Sequence, residues 1–230
     1  MKIVFSLLLL LTGYGLFCQS YAHIEEASSN PFLNDANGRP LYLVSNYTIE
    51  GSPYFMDEYH IAQLQSVKGT LYSNVKVKFN LVDRVIQYIG ADGKEMITDI
   101  PVKKMIFTDP AAGGSAVVLE SFSTALNMPG AGIYQVLDTG HIKLLKKIIM
   151  NSRDEKKYGS AGTTRIFERK EVYYFMDGSS EIKKLEKGKA AMLSLFTARR
   201  DAVAAFIEEQ QLACRSEQDY RKLFHFYNSF

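Results

Sequence analysis

Three places in the chain hold side chains of the types that do chemistry at short spacing. In Asp57-Glu58-Tyr59-His60, three potential metal ligands fall within four residues. On a strand Glu58 and His60 share a face while Asp57 points away, and a helical pairing of Asp57 with His60 is denied by the alternation of the following YHIAQLQ. The segment is therefore expected to be a solvated strand entrance. Gly113-Gly114-Ser115 and Gly159-Ser160-Ala161-Gly162 approach the Gly-x-Ser-x-Gly of a nucleophile elbow. Neither precedes a helical pattern, which removes the elbow and also a phosphate cradle backed by a helix N-terminus. His23, His141 and His225 stand alone in sequence. With no Trp in the chain and no aromatic-plus-acid cluster beyond Tyr54 to Tyr59, a carbohydrate cleft flanked by paired carboxylates is disfavoured. No catalytic residue, cofactor-binding residue or metal ligand is assigned, and no cofactor is expected.

The third place is electrostatic. Residues 141–170 carry nine Lys or Arg against three Asp or Glu, whereas residues 23–140 carry eight against thirteen. His141, Lys143 and Lys147 alternate on one side of an expected strand, and Arg153, Lys156 and Lys157 follow in an expected loop. Lys143, Lys146, Lys147, Arg153, Lys156 and Lys157 are thus the candidate contacts for an anionic partner, either an acidic protein patch or the phosphorylated head group of a glycolipid. The competing reading is a solvated strand face and a charged loop that discourage edge-to-edge aggregation. The formal charge of the whole chain is only +2, which does not suggest nucleic-acid binding.

The elements that position these groups follow from composition and period. At 230 residues, with 47% hydrophobic and 23% charged, the chain has the make-up of a folded globular protein. Lys2 and the apolar run Ile3 to Leu11, about nine residues and short of the roughly twenty that span a bilayer, read as an export signal. Ser20-Tyr21-Ala22 places its cleavage after Ala22. Phe17 before Cys18 argues against a lipoprotein, and no second apolar run of spanning length follows. The mature chain is expected to be periplasmic or extracellular. It keeps Cys214 alone, so no internal disulfide is available, and the thiol is expected to fill space between two helices.

Residues 23–39 read as an extended lead-in broken by Pro31 and Gly38. From residue 40 to 185 the period is two. In Leu71 to Leu81, Leu71, Val75, Val77, Phe79 and Leu81 are apolar while Asn74, Lys76, Lys78 and Asn80 face the other way. Similar short segments (YHIAQLQSV, RVIQYIG, KEMITDI, VKKMIFT, SAVVLES, GIYQVLD, HIKLLKKII, TRIFER, EVYYFM) are separated by turns such as Lys68-Gly69, Ala91-Asp92-Gly93 and Asp138-Thr139-Gly140. His141 to Met150 also fits an amphipathic helix, but the turn before it favours the second arm of a hairpin. Tight turns demand antiparallel pairing. The expected body is an antiparallel β-meander, folded as a sandwich or a curved open sheet. From residue 186 to 230 the period becomes 3.6, with stripes at Ala191, Met192, Leu195, Phe196, then Val203, Phe206, Ile207, Gln210, then Tyr220, Leu223, Phe224, Tyr227. Two or three short helices should therefore pack on the sheet, the last opened by Ser216 with Asp219 three residues on. The fold class is mainly β, of α+β type.

In the order of Leu71 to Leu81, Tyr134-Gln135-Val136-Leu137, Gly140 to Lys146 and the closing Ser216 to Asn228 helix, the chain resembles a family of exported β-rich proteins of unknown function from Gram-negative (Bacteroidota-type) cell envelopes. The likeness covers most of the mature chain and is one of pattern, not of catalytic motif. It implies an envelope location and a β-rich body with a helical tail, and carries over no functional residues.

Together these readings lead to an exported, non-enzymatic envelope module that binds a partner, either an envelope protein or an anionic glycolipid. The first alternative is a carrier of apolar molecules, with a cavity between the curved sheet and the C-terminal helices. The second is a hydrolase with a dispersed site.

Overall fold

The computed structural model describes residues 47–230 apart from 99, 109–115, 123–131, 157, 159–161 and 180. The export signal, the lead-in, Lys157 and Gly113-Gly114-Ser115 lie outside the described residues. Among the described residues eleven strands form a single sheet: β1 (Tyr47–Glu50), β2 (His60–Ser66), β3 (Leu71–Asn80), β4 (Val85–Ile89), β5 (Glu95–Ile97), β6 (Val102–Phe107), β7 (Val117–Phe122), β8 (Gly132–Asp138), β9 (Lys143–Glu155), β10 (Thr163–Met176) and β11 (Ile182–Lys184). Their order is β1-β10-β9-β8-β7-β6-β2-β3-β4-β5, with β11 also on β10.

Consecutive strands pair antiparallel, as the tight turns require. Two pairings depart from a simple meander. β6 returns to β2 rather than to β5, whose three side chains are all exposed at the sheet edge. β1 joins the far edge in parallel with β10, making the sheet mixed. The segment after Gly140 is the second arm of the β8–β9 hairpin. TRIFER and EVYYFM are one strand, and β9 continues through Arg153 instead of ending in a loop before it. Cross-strand pairs hold this polar end: Arg165 is bidentate on Asp154 at 2.8 and 2.9 Å, and Arg153 Nε reaches Glu168 at 3.1 Å.

The alternation in β3 holds only for its second half. Val77 and Phe79 are buried, but Leu71, of the same parity, is 58% exposed. Between them a bulge, with Asn74 at φ 57°, inserts a residue so that Tyr72 rather than Ser73, which shares the parity of Leu71, lies opposite buried Leu64. One extra residue moves every earlier side chain to the other face.

The sheet is curled rather than split into a sandwich. Phe55 donates its N–H to the Phe79 carbonyl of β3 (2.9 Å) and accepts at its own carbonyl from Arg169 Nη1 of β10 (3.1 Å). In sheet order five strands separate β10 from β3. Both can meet one residue only if the sheet bends round on itself, and residues 51–56 form a strap across the gap. Gly51 starts the strap with φ +77°, where a Cβ would stand 2.6 Å from the Phe167 carbonyl oxygen.

Two apolar clusters lie within the described residues. One, inside the curl, gathers Phe55, Leu64, Val77, Phe79, Met105, Phe107 and Leu119. The other joins Leu137 and Leu144 of the sheet, and Ile142 in the turn between them, to α1 (Lys189–Leu195), α2 (Arg200–Glu209) and α3 (Glu217–Asn228) through Met192, Phe196, Ile207, Leu223 and Phe224. Ser216 caps α3, its Oγ accepting from the Asp219 N–H at 3.1 Å. Cys214 is fully buried in this cluster, and burial, with Asp219 nearby, pushes its thiol up. At the far end of α3 the Asn228 amide donates to Asp138 Oδ1 (2.6 Å) and the Ile142 carbonyl (2.9 Å) and accepts from the Ile142 N–H (3.1 Å). Gly140 leaves room for it: a Cβ there would stand 2.4 Å from Asn228.

Losing the three bonds in Asn228→Ala should cost about 2 kcal/mol in denaturant unfolding, and Gly140→Ala should destabilise in the same direction. Wild-type stability in both variants would show that this clamp does not hold α3 to the sheet.

Candidate functional site

The site is organised along β9. Register places Leu64, Met105, Leu119, Gln135, Lys146 and Tyr173 in one cross-strand row, so these side chains share the concave face of the curled sheet. Along β9, Leu144 joins the helix-side cluster and Ile148 packs on the cluster inside the curl. Lys146 stands between them, 8% exposed. A buried ammonium is stable only with partners. Its Nζ donates to Glu217 Oε2 of α3 at 2.8 Å and lies 3.5 Å from Glu171 Oε1 of β10.

The pairing extends both ways. Arg221 Nε donates to Glu217 Oε1 (2.8 Å) and its Nη1 to the Leu137 carbonyl (3.1 Å), while Arg169 Nε lies 3.4 Å from Glu171. The Tyr173 hydroxyl shares its one proton between Glu217 (3.2 Å) and Glu171 (3.4 Å). Burial and then the two glutamates push the Tyr173 phenol well up. For Glu217 burial acts upward, but hydrogen bonds and charge from Lys146 and Arg221 outweigh it and hold the carboxyl below its usual range. The result is an alternating row of cations and anions that crosses from strap to helix. Its charges are matched within the chain, so its chemistry is structural.

Beyond Ile148 the curl opens into a cavity of about 870 Å³. Its inner wall includes buried Phe79 and Ile86 with Ile133 and Ile148, and its rim includes Val67, Val82 and Ile100, each more than a third exposed. Two cations line it: exposed Arg84, in the β3–β4 turn, and half-buried Lys147 of β9. No Asp or Glu is found among the described lining residues. Burial, and then the charge of Arg84, lower the Lys147 ammonium pKa, so the two cations are close enough to feel each other. Lys147 Nζ sits 5.2 Å from the Tyr134 ring centre, beside Gly132, where a Cβ would stand 3.1 Å from the ammonium. The Tyr134 phenol is pushed up to about 12 by burial and by Tyr174.

Of the six basic residues singled out in sequence, the five described ones do not form one patch. Lys146 points into the protein and is engaged there, presenting no charge to a partner. Lys143 lies 3.8 Å from Glu120 and 5.6 Å from the centre of the Phe122 ring. Lys147 lines the cavity. Arg153, in the strand rather than a loop, pairs with Glu168 and Glu155, and Lys156 is exposed just past the strand end. From Lys143 to Arg153 an extended strand covers roughly 33 Å. Among the described residues no three His, Cys, Asp or Glu side chains converge as a metal would require, Asp57 to His60 included. The space between sheet and helices, where a carrier cavity was expected, is filled by Met192, Phe196, Leu223 and Phe224, all fully buried. Arg84 was not singled out in sequence. The available signal lay beside it, in Val67, Val82 and Ile100: large apolar residues at turns where polar ones are usual.

No family model and no curated protein matches the chain, and no solved structure matches its fold. Fold and site alone define its class: a mostly β chain whose single curled sheet carries three helices on one end and an apolar cavity at the other. Among the described residues no helix is long and apolar enough to cross a membrane.

Lys146→Met should cost about 3 kcal/mol in thermal unfolding by leaving two carboxylates face to face, and adding Glu217→Leu should recover part of it. The lowered Glu217 pKa also sets a pH dependence. Its stabilisation is present above the unfolded-state value of about pH 4 and is lost as pH falls through the folded one. The melting temperature of wild type should therefore fall more steeply in acid than that of Glu217→Gln; equal slopes would show that Glu217 gains nothing from its cationic neighbours.

Proposed function

We propose that the protein is a non-enzymatic binding protein that holds an apolar small molecule inside its curled sheet. The cavity of about 870 Å³ carries this reading. Its size falls in the range of about 300 to 1,000 Å³ typical of ligand sites, and its lining is mostly aliphatic with few polar groups, the usual make-up of such a site. Its exposed apolar rim supports the same reading, because contiguous exposed apolar surface on a folded chain commonly marks a place of contact.

This reading differs from a docking module built on the basic stretch 141–170, whose described Lys143, Lys146 and Arg153 are already near carboxylates. It also differs from a hydrolase. The perturbed acid Glu217 is held ionised by two cations in the interior row, away from the cavity lining. The apolar n-terminal run and Ser20-Tyr21-Ala22 support export of the chain with cleavage after Ala22, so that the binding protein would work in the periplasm or outside the cell, consistent with the envelope-family resemblance.

Ile133→Trp places a larger ring in the cavity wall. Titration with a neutral naphthylamine dye, whose fluorescence rises in apolar surroundings, should show binding to wild type and at least about tenfold weaker binding to the variant, with both melting within a few degrees of each other. Equal dye affinity in the two proteins would overturn the proposal.

A further inference from the structure

We infer that the occupant of this cavity is an amphiphile with an acidic head, a carboxylate or a phosphate monoester, whose apolar chain lies against Phe79, Ile86, Ile133 and Ile148 and whose head is held by Arg84 and Lys147. The inference rests on the cavity being a ligand site and adds the chemistry of the ligand.

Charge is the first argument. Arg84 and Lys147 come from different parts of the curl, the β3–β4 turn and β9, yet line the same cavity, and no acid lies among its described lining residues. Both cations stand on a largely aliphatic wall, where half-burial of Lys147 weakens solvent screening. Burial and the charge of Arg84 both lower the basicity of Lys147. An anion at this end of the cavity gains Coulombic attraction to both and charge-assisted hydrogen bonds.

The second argument is how Arg84 is presented. It has φ +58°, a conformation that costs a residue with a Cβ. The turn that imposes it is built around buried Asn80. The Asn80 Oδ1 accepts from the N–H groups of Val82 (2.9 Å) and Asp83 (3.0 Å), and its Nδ2 donates to Asp83 Oδ2 at 2.8 Å. Asn80 is 6% exposed, so a buried amide fixes the turn from within. Arg84 itself makes no hydrogen bond or ion pair among the described residues, leaving the planar donor fork of its guanidinium for a carboxylate or phosphate. A strained turn that holds an unengaged arginine at the mouth of an apolar cavity is spatially suited to a head group.

The third is polarity along the cavity. Burial falls from Phe79 and Ile86 inside to Val67, Val82 and Ile100 at the rim, and exposed Arg84 lies at the outer end. Such a gradient orients an amphiphile chain-first.

Palmitate, hexadecyl phosphate and hexadecanol share a chain and differ in head group, so their affinities for delipidated wild type and Arg84→Gln separate head from tail. Arg84 is exposed, and the variant should fold as wild type does. Wild type should bind at least one of the two acids about tenfold more tightly than the alcohol, the tighter acid naming the head, and Arg84→Gln should lose most of that preference while keeping its affinity for the alcohol. Equal affinity for all three, or a preference unchanged in Arg84→Gln, would overturn the inference and leave the cavity as a neutral apolar site. If none of the three and no neutral dye binds, the ligand-site reading fails with it.

Discussion

One buried ammonium organises the molecule. Lys146 sits near the open end of the longest hairpin, between two apolar clusters, and its partners belong to different layers: Glu217 to the last helix and Glu171 to the neighbouring strand. A buried ion pair adds little net stability over well-packed apolar side chains, because desolvation opposes the Coulombic gain. What it adds is position. An apolar helix face can slide on an apolar sheet at small cost, whereas α3 has one register in which Glu217 meets Lys146 and Tyr173 while Arg221 reaches the Leu137 carbonyl. The Asn228 clamp fixes the other end of the same helix. The interior on one side of the row is filled by helices, and on the other it is left to the curl.

The curl in turn determines the cavity. A sheet of this size either pairs with a second layer or bends over itself, and here the strap from Gly51 to Met56 holds the bend by contacting both β3 and β10. Among the described residues no helix lines the concave face at the end bordered by Arg84 and Ile100, and the aliphatic walls there stand apart. Filling and leaving open are thus consequences of where the helices dock.

Much of this was legible in the chain. Alternation located the strands, and the change of period near residue 186 located the helices with Ser216 as a cap, since both depend on local spacing. Other features depend on partners distant in sequence. The Asn74 bulge reverses the parity that alternation relies on. Around Lys146 both faces of β9 are buried, Leu144 and Leu145 alike, so parity separates Lys146 from Lys143 and Lys147 without saying which side is inside. The polar end of β9 lacks an apolar pattern and is a strand only because β10 supplies opposite charges across from it. Arg84 acquires meaning only when the curl brings its turn to the cavity that Lys147 also lines.

The strap also orders the assembly of the fold in time. β1 pairs with Thr163 to Ile166, and Phe55 is bonded to Arg169, 114 residues further on. Closing so long a loop costs entropy that only a formed β9–β10 hairpin can recover. A chain made from its N-terminus therefore emerges with β1, and the β10 side of its strap, unable to find their partners until more than a hundred further residues have appeared, while the β3 side of the strap meets Phe79 early. This early segment waits on β10, and until then the curl has no closure and the cavity no fixed shape.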